Sequence, residues 1–363
     1  MLSHRKSLFP LSTVVIVAAL WANGCNSSSS GESEGSSAIT NAIGGSGSTF
    51  VDPLMKRWII GFQQAHPKIL VNYRANGSGA GIDELKKSIT EFAASDAPLS
   101  DDQLKGAPAV IQVPVSAGPV CIIYNIPDLK SPLRLSAKSL AEIFRGQIVN
   151  WNDAAIAHEN PGLSLPKAAI IVVHRADGSG TTSILTTYLS KVSPEWSKKT
   201  GAGLSVEWPV GLSGKGSTGV IDLVKQATGT IGYAELNYAK QEDLSVASIQ
   251  NRAGAYAEPS VTGATAALDS FSEAIANDVR TPIVDPPASA KDAYPISGVT
   301  FILIPKDGTV ELDRQTLKEF VQYAVTDGQL ATEGLYYAKL PKLLQDQDQK
   351  LLAEMTVAGQ PLK

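Results

Sequence analysis

The chain has 363 residues, of which 43% are hydrophobic and 18% are charged. It can therefore bury a substantial core, and it is long enough for two domains or more. The formal net charge of −4 provides no basic field over the whole chain, which argues against nucleic acid and anionic membrane surfaces as partners. An anionic ligand would have to be held by a local site.

Residues 1–25 have the features of a secretory leader. The apolar run that follows Arg5 and Lys6 is too short and too poorly flanked for a bilayer span, but it suits a signal peptide. It ends at "ANGC", which resembles a bacterial lipoprotein processing site with Cys25 as the lipidated residue; ordinary signal-peptide cleavage nearby is the alternative. Residues 26–39 form a flexible Ser/Gly-rich tether. We expect export, with membrane association only through a possible N-terminal lipid.

Beyond the tether, short β-rich runs alternate with helical patterns. The run "ILVNYRA" leads through "NGSGAG" into "IDELKKSI", and "AIIVVH" leads through "RADGSG" into "TTSILTTYL". A weaker third copy is "NAIGGSGSTF" followed by "DPLMKRWIIGFQQAHP". Two further predicted strands are "GTIGYAEL" and "GVTFILIPK", and "ELDRQTLKEFVQYAVTDG" predicts an amphipathic helix that ends at Gly328. This alternation predicts an α/β architecture with ligands at the carboxyl ends of strands.

Each of the three glycine loops leads into a predicted helix and could hold an anion. The start of a helix leaves backbone N–H groups unpaired and carries a partial positive charge. Glycine allows the backbone to approach a ligand closely. Hydroxyl groups beside these amides supply additional donors, namely those of Ser48, Thr49, Ser78, Ser179 and Thr181. For any single loop, an ordinary helix N-cap is the alternative interpretation.

Three charged residues in or near these loops make the anion interpretation more informative. Arg175 offers a planar fork that matches a tetrahedral oxyanion, and Asp177 is placed to orient it; an ordinary loop salt bridge is the alternative. Asp96 in "FAASDAPLS" is either a turn residue or a ligand group. A carboxylate in a site made of donors accepts a hydrogen bond only from an anion that still carries a proton. Phosphate near neutral pH carries one and fully ionised sulfate does not, so Asp96 would discriminate between them.

Several other kinds of site are disfavoured by the sequence. No nucleophile elbow, nucleotide-binding loop or dinucleotide fingerprint occurs. Four histidines and two unclustered cysteines make a metal site improbable, and we expect no cofactor. Cys121 has no disulfide partner in the mature chain and is interpreted as a small buried hydrophobe. His174 is interpreted as a structural residue at a strand end.

Several blocks of the sequence together resemble a known protein family. The blocks that carry the resemblance are "GSGSTF", "GSGAG", "ASDAPLSDDQL", "RADGSGTTSILTTYLSKV", "WPVGLSGKGSTGV", "TIGYAELNYAKQ" and "TFILIPK". They are similar to the phosphate-binding component, or PstS family, of the bacterial high-affinity phosphate ABC transporter, from about residue 40 to the C-terminus. The resemblance implies a two-lobed periplasmic-binding-protein fold of type II that closes on one dehydrated phosphate in the cleft between its lobes. It also implies a periplasmic location and delivery to an inner-membrane permease and its ATPase.

The resemblance also implies site residues and lobe boundaries. The phosphate contacts carried over are Thr49, Phe50 through its amide, Ser78, Asp96, Arg175, Ser179, Gly180 and Thr181. Asp177 would orient Arg175, and Ser48 is given no contact of its own. The chain of this family crosses between lobes twice, so lobe I is expected to comprise residues 40–116 and 294–363, and lobe II residues 117–293.

Two alternatives to a phosphate receptor are compatible with the same residues. The first keeps the fold and changes the cargo to sulfate, molybdate or a related dianion. The second is a secreted phosphatase or other hydrolase that uses Ser179 with His174 and Asp177. These three residues crowd one loop, whereas a nucleophile needs a base aimed at it and a third group that orients the base. We therefore expect a binding protein and not an enzyme.

Overall fold

The structure is a computed structural model that describes residues 39–362 except 106, 107 and 130. The predicted leader, Cys25 and all but the last residue of the tether lie outside the described residues. Within the described part of the chain, no helix combines the length and the apolar character needed to cross a membrane.

The described chain alternates strands and helices, as the sequence predicts. The strands are β1 (Asn41–Gly47), β2 (Ile69–Ala75), β3 (Phe92–Ser95), β4 (Val110–Tyr124), β5 (Arg134–Leu135), β6 (Ile171–Arg175), β7 (Leu212–Gly214), β8 (Thr230–Glu235), β9 (Ser245–Val246), β10 (Ser248–Gln250), β11 (Tyr256–Ala257), β12 (Ser297–Pro305), β13 (Asp307–Gly308), β14 (Thr356–Val357) and β15 (Gln360–Pro361). The helices are α1 (Asp52–Ala65), α2 (Ser78–Lys86), α3 (Asp101–Leu104), α4 (Ala137–Phe144), α5 (Ala154–Glu159), α6 (Gly180–Val192), α7 (Pro194–Lys199), α8 (Gly216–Gln226), α9 (Leu236–Gln241), α10 (Val261–Asn277), α11 (Glu311–Val325) and α12 (Lys342–Ala353).

Helix α1 shows how local sequence sets local structure. Pro53 lies in its first turn, where a missing N–H is harmless. Leu54, Trp58 and Phe62 are spaced four residues apart and are fully buried, so they form the single apolar stripe that docks the helix on the sheet.

Helix α2 begins at Ser78, earlier than its apolar pattern indicates. A Cβ at Gly81 would lie 2.5 Å from the Cα of Gly47, so small residues let this first turn pack against β1.

The main sheet joins two parallel sections through an antiparallel centre. Among the described residues its strand order is β2-β1-β3-β12-β4-β8-β6-β7, with β9 beside β4. The β1 pairings with β2 and β3 are parallel, and so are the β6 pairings with β7 and β8. Strand β4 pairs antiparallel with β12 over its first ten residues and with β8 over its last five. Strand β4 therefore contributes to both sections of the sheet.

The register along β4 brings two strand ends towards each other. The last residue of β3, Ser95, pairs with Phe301 of β12, which pairs in turn with Pro114 of β4. The last residue of β8, Glu235, pairs with Val120 of β4. Because β3 and β8 run in opposite directions, their carboxyl ends approach the middle of β4 from its two sides. The loops that follow these strands therefore face one another.

The predicted lobe boundaries can be placed on these elements. The first crossing, between residues 116 and 117, falls inside β4, and the second, between 293 and 294, falls just before β12. One large apolar cluster runs through both sections of the sheet. A smaller cluster, which includes Cys121 and Val173, lies under α8 and α9. The exact extent of each lobe stays a prediction.

Candidate functional site

Asp96 lies at the carboxyl end of β3 and is almost completely buried. Its carboxylate accepts hydrogen bonds from Thr300 at 2.7 Å and from Ser78 at 3.4 Å. The Ser48 hydroxyl lies 2.8 and 2.6 Å from its two oxygens. Burial raises the pKa of Asp96 to about 6, although the hydrogen bonds from Ser48 and Thr300 oppose this shift. Asp96 is therefore ionised near neutral pH but can gain a proton in mild acid.

Arg175 and Asp177 form the paired fork that the sequence predicts. Nε of Arg175 donates to Oδ1 of Asp177 at 2.9 Å, and a terminal nitrogen donates to Oδ2 at 2.6 Å. Asp177 also accepts from the amide of Gly216 at 2.8 Å. Burial alone would lower the pKa of Arg175, but the hydrogen bonds and charge of Asp177 raise it overall. Burial alone would raise the pKa of Asp177, but Arg175 lowers it. Both groups stay charged, and the other terminal nitrogen of Arg175 donates to the Ser217 hydroxyl at 3.3 Å.

The loop after β6 contacts the loops after β2 and β3 directly. The Gly180 amide donates to the Ser78 hydroxyl at 3.2 Å, and the Gly79 amide donates to the Gly178 carbonyl at 2.9 Å. A Cβ at Gly180 would lie only 2.4 Å from Oδ2 of Asp96. The positive end of α6 is thus in contact with the buried carboxylate, so Asp96 and the Arg175 loop share one site.

The other predicted contacts surround this centre. The Phe50 amide donates to the Ser48 hydroxyl at 3.0 Å. The Thr49 hydroxyl lies 2.9 Å from that of Ser217. The Ser179 hydroxyl caps α6 by accepting from the Thr182 amide at 3.2 Å, as the N-cap interpretation states. The Thr181 hydroxyl donates to Glu235 at 2.8 Å. All eight predicted contact residues lie in the loops that follow β1, β2, β3 and β6 or at the strand and helix ends beside those loops.

Sequence reasoning did not assign three residues of the site, namely Ser217, Glu235 and Thr300, and it named Ser48 only as an additional donor without a ligand contact. Ser48 bonds both oxygens of Asp96 and the amides of Phe50 and Val51. Ser217 follows a glycine at the start of α8 in "GKGST". A glycine followed by a hydroxyl residue at a helix start is also the pattern of the other loops. Glu235 ends a wholly buried strand, and a carboxylate at the end of a buried strand indicates a functional group. Thr300 lies inside β12, where nothing in the local sequence marks it.

The hydrolase alternative does not fit the geometry. The Ser179 hydroxyl is engaged with the Thr182 amide, and Asp177 is engaged with Arg175. Nδ1 of His174 lies 3.1 Å from its neighbour's carbonyl oxygen, and its ring stacks on Trp208 with centroids 4.9 Å apart. No base is therefore aimed at a nucleophile here. Across residues 39–362, apart from the three gaps, no group of three His, Cys, Asp or Glu residues is placed to hold a metal ion.

Comparison with known proteins identifies the fold as the two-lobed periplasmic-binding-protein fold. Residues 32–328 match the family described as PBP superfamily domain. The chain is 38% identical over 337 residues to the phosphate-binding protein PstS of Xylella fastidiosa (strain Temecula1), covering 89% of this chain and 92% of that protein. It is 37% identical over 306 residues to PstS of Pasteurella multocida, covering 83% and 86% respectively.

Solved structures show the same fold at lower sequence identity. A high-affinity periplasmic phosphate-binding protein bound with phosphate superposes with a TM-score of 0.68 at 19% identity, covering 85% of this chain and 93% of that one. A phosphate ABC transporter substrate-binding protein from Clostridium perfringens gives a TM-score of 0.60 at 19% identity, covering 83% and 100%. Together with the sequence relatives, these matches show that the chain belongs to the PstS family of phosphate-binding proteins within the PBP superfamily.

Proposed function

We propose that this protein is an extracytoplasmic solute-binding protein that captures inorganic phosphate and delivers it to an ABC-transporter permease for import. The observation that carries the proposal is the contact of buried Asp96 with Ser78 and with the N-terminus of α6 at Gly180. This contact places one hydrogen-bond acceptor, the Asp96 carboxylate, among hydrogen-bond donors. A tetrahedral oxoanion with one proton is complementary, because it donates one hydrogen bond and accepts several. As in other members of a binding-protein family, the ligand would be released chemically unchanged.

The proposed phosphate contacts are those predicted from the sequence. They are Thr49, Phe50, Ser78, Asp96, Arg175, Ser179, Gly180 and Thr181, with Asp177 orienting Arg175. A hydrogen bond to a charged group is worth about 1.5–3 kcal/mol net, so several of them exceed the roughly 8 kcal/mol that micromolar affinity requires. The excess is needed, because removing water from phosphate and ordering the site both oppose binding.

The pKa of Asp96 gives the proposed selectivity a pH dependence. Because this pKa is about 6, the carboxylate is mostly ionised at pH 7–8 and can accept only from an oxoanion that carries a proton. As the pH falls through 6, Asp96 becomes protonated and can itself donate to fully ionised sulfate. Preference for phosphate over sulfate should therefore be greatest above pH 7 and should decline below pH 6.

A competition series tests this function. Protein stripped of ligand is titrated calorimetrically with phosphate, arsenate, sulfate and molybdate between pH 5 and 8. Tight one-to-one phosphate binding is expected, together with arsenate binding wherever size permits. Asp96→Asn should relax discrimination against sulfate, whereas Asp292→Asn, which changes an exposed aspartate, should not. Absence of phosphate binding, or tighter binding of sulfate or molybdate, would reject phosphate as the cargo.

We also propose that closure of the lobes is coupled to binding. Thr49, Ser78 and Asp96 belong to proposed lobe I (residues 40–116 and 294–363), and the Arg175 loop belongs to proposed lobe II (residues 117–293). Direct contacts between the two sets, for example from the Gly180 amide to the Ser78 hydroxyl at 3.2 Å, support a ligand site that both proposed lobes share. Small-angle scattering with and without phosphate should show a decrease in the radius of gyration. An unchanged radius would argue for a preformed site.

We propose that residues 1–25 direct export to the periplasm or cell-envelope exterior, that Cys25 is the lipidated residue, and that residues 26–39 tether the domain. Intact mass of the mature N-terminus separates a diacylglyceryl cysteine from simple cleavage. The proposed partner is an inner-membrane permease with its ATPase, which predicts that phosphate uptake by membrane vesicles depends on added protein.

A further inference from the structure

Arg314 is a buried cation that the described residues do not neutralise. It lies in the first turn of α11 and is only 5% exposed. One terminal nitrogen donates to the Lys306 carbonyl oxygen at 2.9 Å, and Nε has no hydrogen-bond partner in the described part of the chain. The ion pairs found there include neither Arg314 nor its neighbour Asp313. Burial lowers the pKa of Arg314, and the charge of Asp307 only partly opposes this. A buried charge of this kind is costly unless a partner compensates it.

The guanidinium lines a cavity of about 340 Å³ between α2, α11 and the ends of β4 and β12, which we call the α11 cavity. Small organic ligands are commonly held in pockets of about 300–1,000 Å³. The Thr90 hydroxyl lines the same cavity, is buried and also lacks a partner among the described residues. Gly308 leaves space beside Arg314, because a Cβ there would lie 2.4 Å from Cδ and 3.1 Å from Nε. The cavity therefore offers polar groups that no protein partner satisfies.

The α11 cavity is separate from the proposed phosphate site. Thr90 lies just before β3 begins, whereas Asp96 directly follows the end of β3. Val110 and Pro305 also line the cavity, and they pair with each other at the first residue of β4 and the last residue of β12. None of the proposed phosphate contacts lines it. A ligand in this cavity would lie at the opposite end of the strands from Asp96.

The charges around the α11 cavity restrict the kind of ligand that it can hold. The charged residues that line it are Lys86, Glu91, Asp307, Asp313 and Arg314. Glu91 and Asp307 already accept hydrogen bonds from protein donors. Asp313 and Arg314 are adjacent in α11, so their side chains do not face each other and cannot pair. Three carboxylates and two cations leave one net negative charge, which disfavours a ligand that carries negative charge alone.

We propose that the α11 cavity binds a small zwitterion, namely an α-amino acid with an apolar side chain. Its carboxylate accepts charge-assisted hydrogen bonds from the guanidinium donors of Arg314 that no protein group uses. Its ammonium group lies towards Asp313. Its side chain packs on the apolar part of the lining, which includes Leu85, Val110 and Leu317. This inference is independent of the proposed phosphate-binding function.

Calorimetry of the phosphate-saturated protein with L-leucine and two analogues tests the proposal. 4-Methylpentanoate lacks only the ammonium group, and 3-methylbutylamine lacks only the carboxylate. Leucine is expected to bind one-to-one. The amine should bind about tenfold more weakly or worse, because it cannot pair with Arg314, and 4-methylpentanoate about fivefold more weakly, because Asp313 is partly exposed. No leucine binding, or an analogue that binds as tightly as leucine, would overturn the proposal. Binding of leucine to phosphate-free protein alone would place it in the phosphate cleft and would overturn the proposal as well.

Arg314→Met tests the guanidinium with an apolar side chain of similar length. This variant should fold, because the Lys306 carbonyl keeps the Thr356 amide as a donor at 2.9 Å and an apolar replacement of a buried charge is tolerated. Leucine affinity should fall about tenfold or more, while phosphate affinity stays unchanged. Arg57→Met, which changes an exposed arginine of α1, should alter neither affinity. Unchanged leucine affinity in Arg314→Met would refute the site.

Gly308→Ala decides the question if Arg314→Met does not fold. It keeps the charge of Arg314 but fills the space beside its Cδ and Nε. Leucine binding should weaken by about tenfold, since the new methyl group displaces the guanidinium, and phosphate affinity should again be that of the wild type. Wild-type leucine affinity in this variant would contradict a ligand held at Arg314.

Discussion

Replacement of Gly180 by alanine adds one methyl group at the contact between the Arg175 loop and Asp96. The new Cβ would lie 2.4 Å from Oδ2 of Asp96, 2.5 Å from its Cβ and 2.7 Å from the Ser78 hydroxyl. Ordinary van der Waals contact begins at 3.4 Å, so the first residue of α6 must move by about 1 Å. The hydrogen bond from the Gly180 amide to Ser78, now 3.2 Å long, would be lost.

The displacement of the first residue of α6 should weaken phosphate binding. A misplacement of about 1 Å in a preorganised site costs about 100-fold, which corresponds to about 2.7 kcal/mol of binding free energy. Folding should not suffer equally, because alanine is a better helix former than glycine by up to about 1 kcal/mol. We therefore expect phosphate affinity to fall about 100-fold in calorimetry while the melting temperature without phosphate changes by only a few degrees.

Gly334→Ala is the matched control, because a Cβ there meets nothing within 4 Å. It should bind phosphate as the wild type does. If Gly180→Ala also retains wild-type affinity, the close approach of α6 to Asp96 does not exist in the phosphate-bound protein. The reasoning that joins these two chain segments into one site would then be wrong.

Three further predictions concern other buried groups. Burial raises the pKa of Asp348 to about 8 from an unfolded value of about 4, so the folded protein binds an extra proton between these values and loses up to about 1.4 kcal/mol of stability per pH unit as the pH rises. Asp348→Asn should abolish that slope in denaturant titrations from pH 5 to 8, and an unchanged slope would refute the assignment. Arg175→Lys cannot reproduce the fork on Asp177, so calorimetry should show phosphate binding weakened by about 10- to 100-fold; retained affinity would show that charge alone suffices. Burial raises the pKa of the Cys121 thiol, so in protein carrying Cys25→Ser a thiol-reactive dye should label it only after denaturation, and labelling of the folded protein would contradict its burial.

The local units of this protein could be read from its sequence. The strand, glycine loop and helix patterns predicted β2 with α2 and β6 with α6 because apolar periodicity and N-cap residues are properties of neighbouring positions. Among the elements that were predicted, the errors lie at the ends: the α11 pattern was expected to continue to Gly328, whereas the α-helix ends at Val325 and a 3₁₀ turn follows at Asp327–Ala331. Terminal turns depend on what they pack against, which local patterns do not encode.

The assembly of the site needed a different kind of information. Asp96, Arg175 and Asp177 were selected from the sequence because their chemistry suits an oxoanion, and the resemblance to a known family supplied the rest. Ser217, Glu235 and Thr300 were not assigned, because their importance lies in contacts with residues 18 to 204 positions away. Nothing in the spacing of Thr300 within β12 indicates that it bonds Asp96.

The sequence by itself determined the repeated unit of strand, glycine loop and helix and the kinds of group that each loop presents, since these follow from short-range sterics and hydrogen bonding. Only the tertiary structure decided which loops meet. The register of β3, β12, β4 and β8 brings the carboxyl ends of opposed strands to the middle of β4, and hydrogen bonds over 102 and 54 positions then form from Gly180 and Thr181. Sheet register is set by the packing of the whole core, so no local pattern could have specified those contacts.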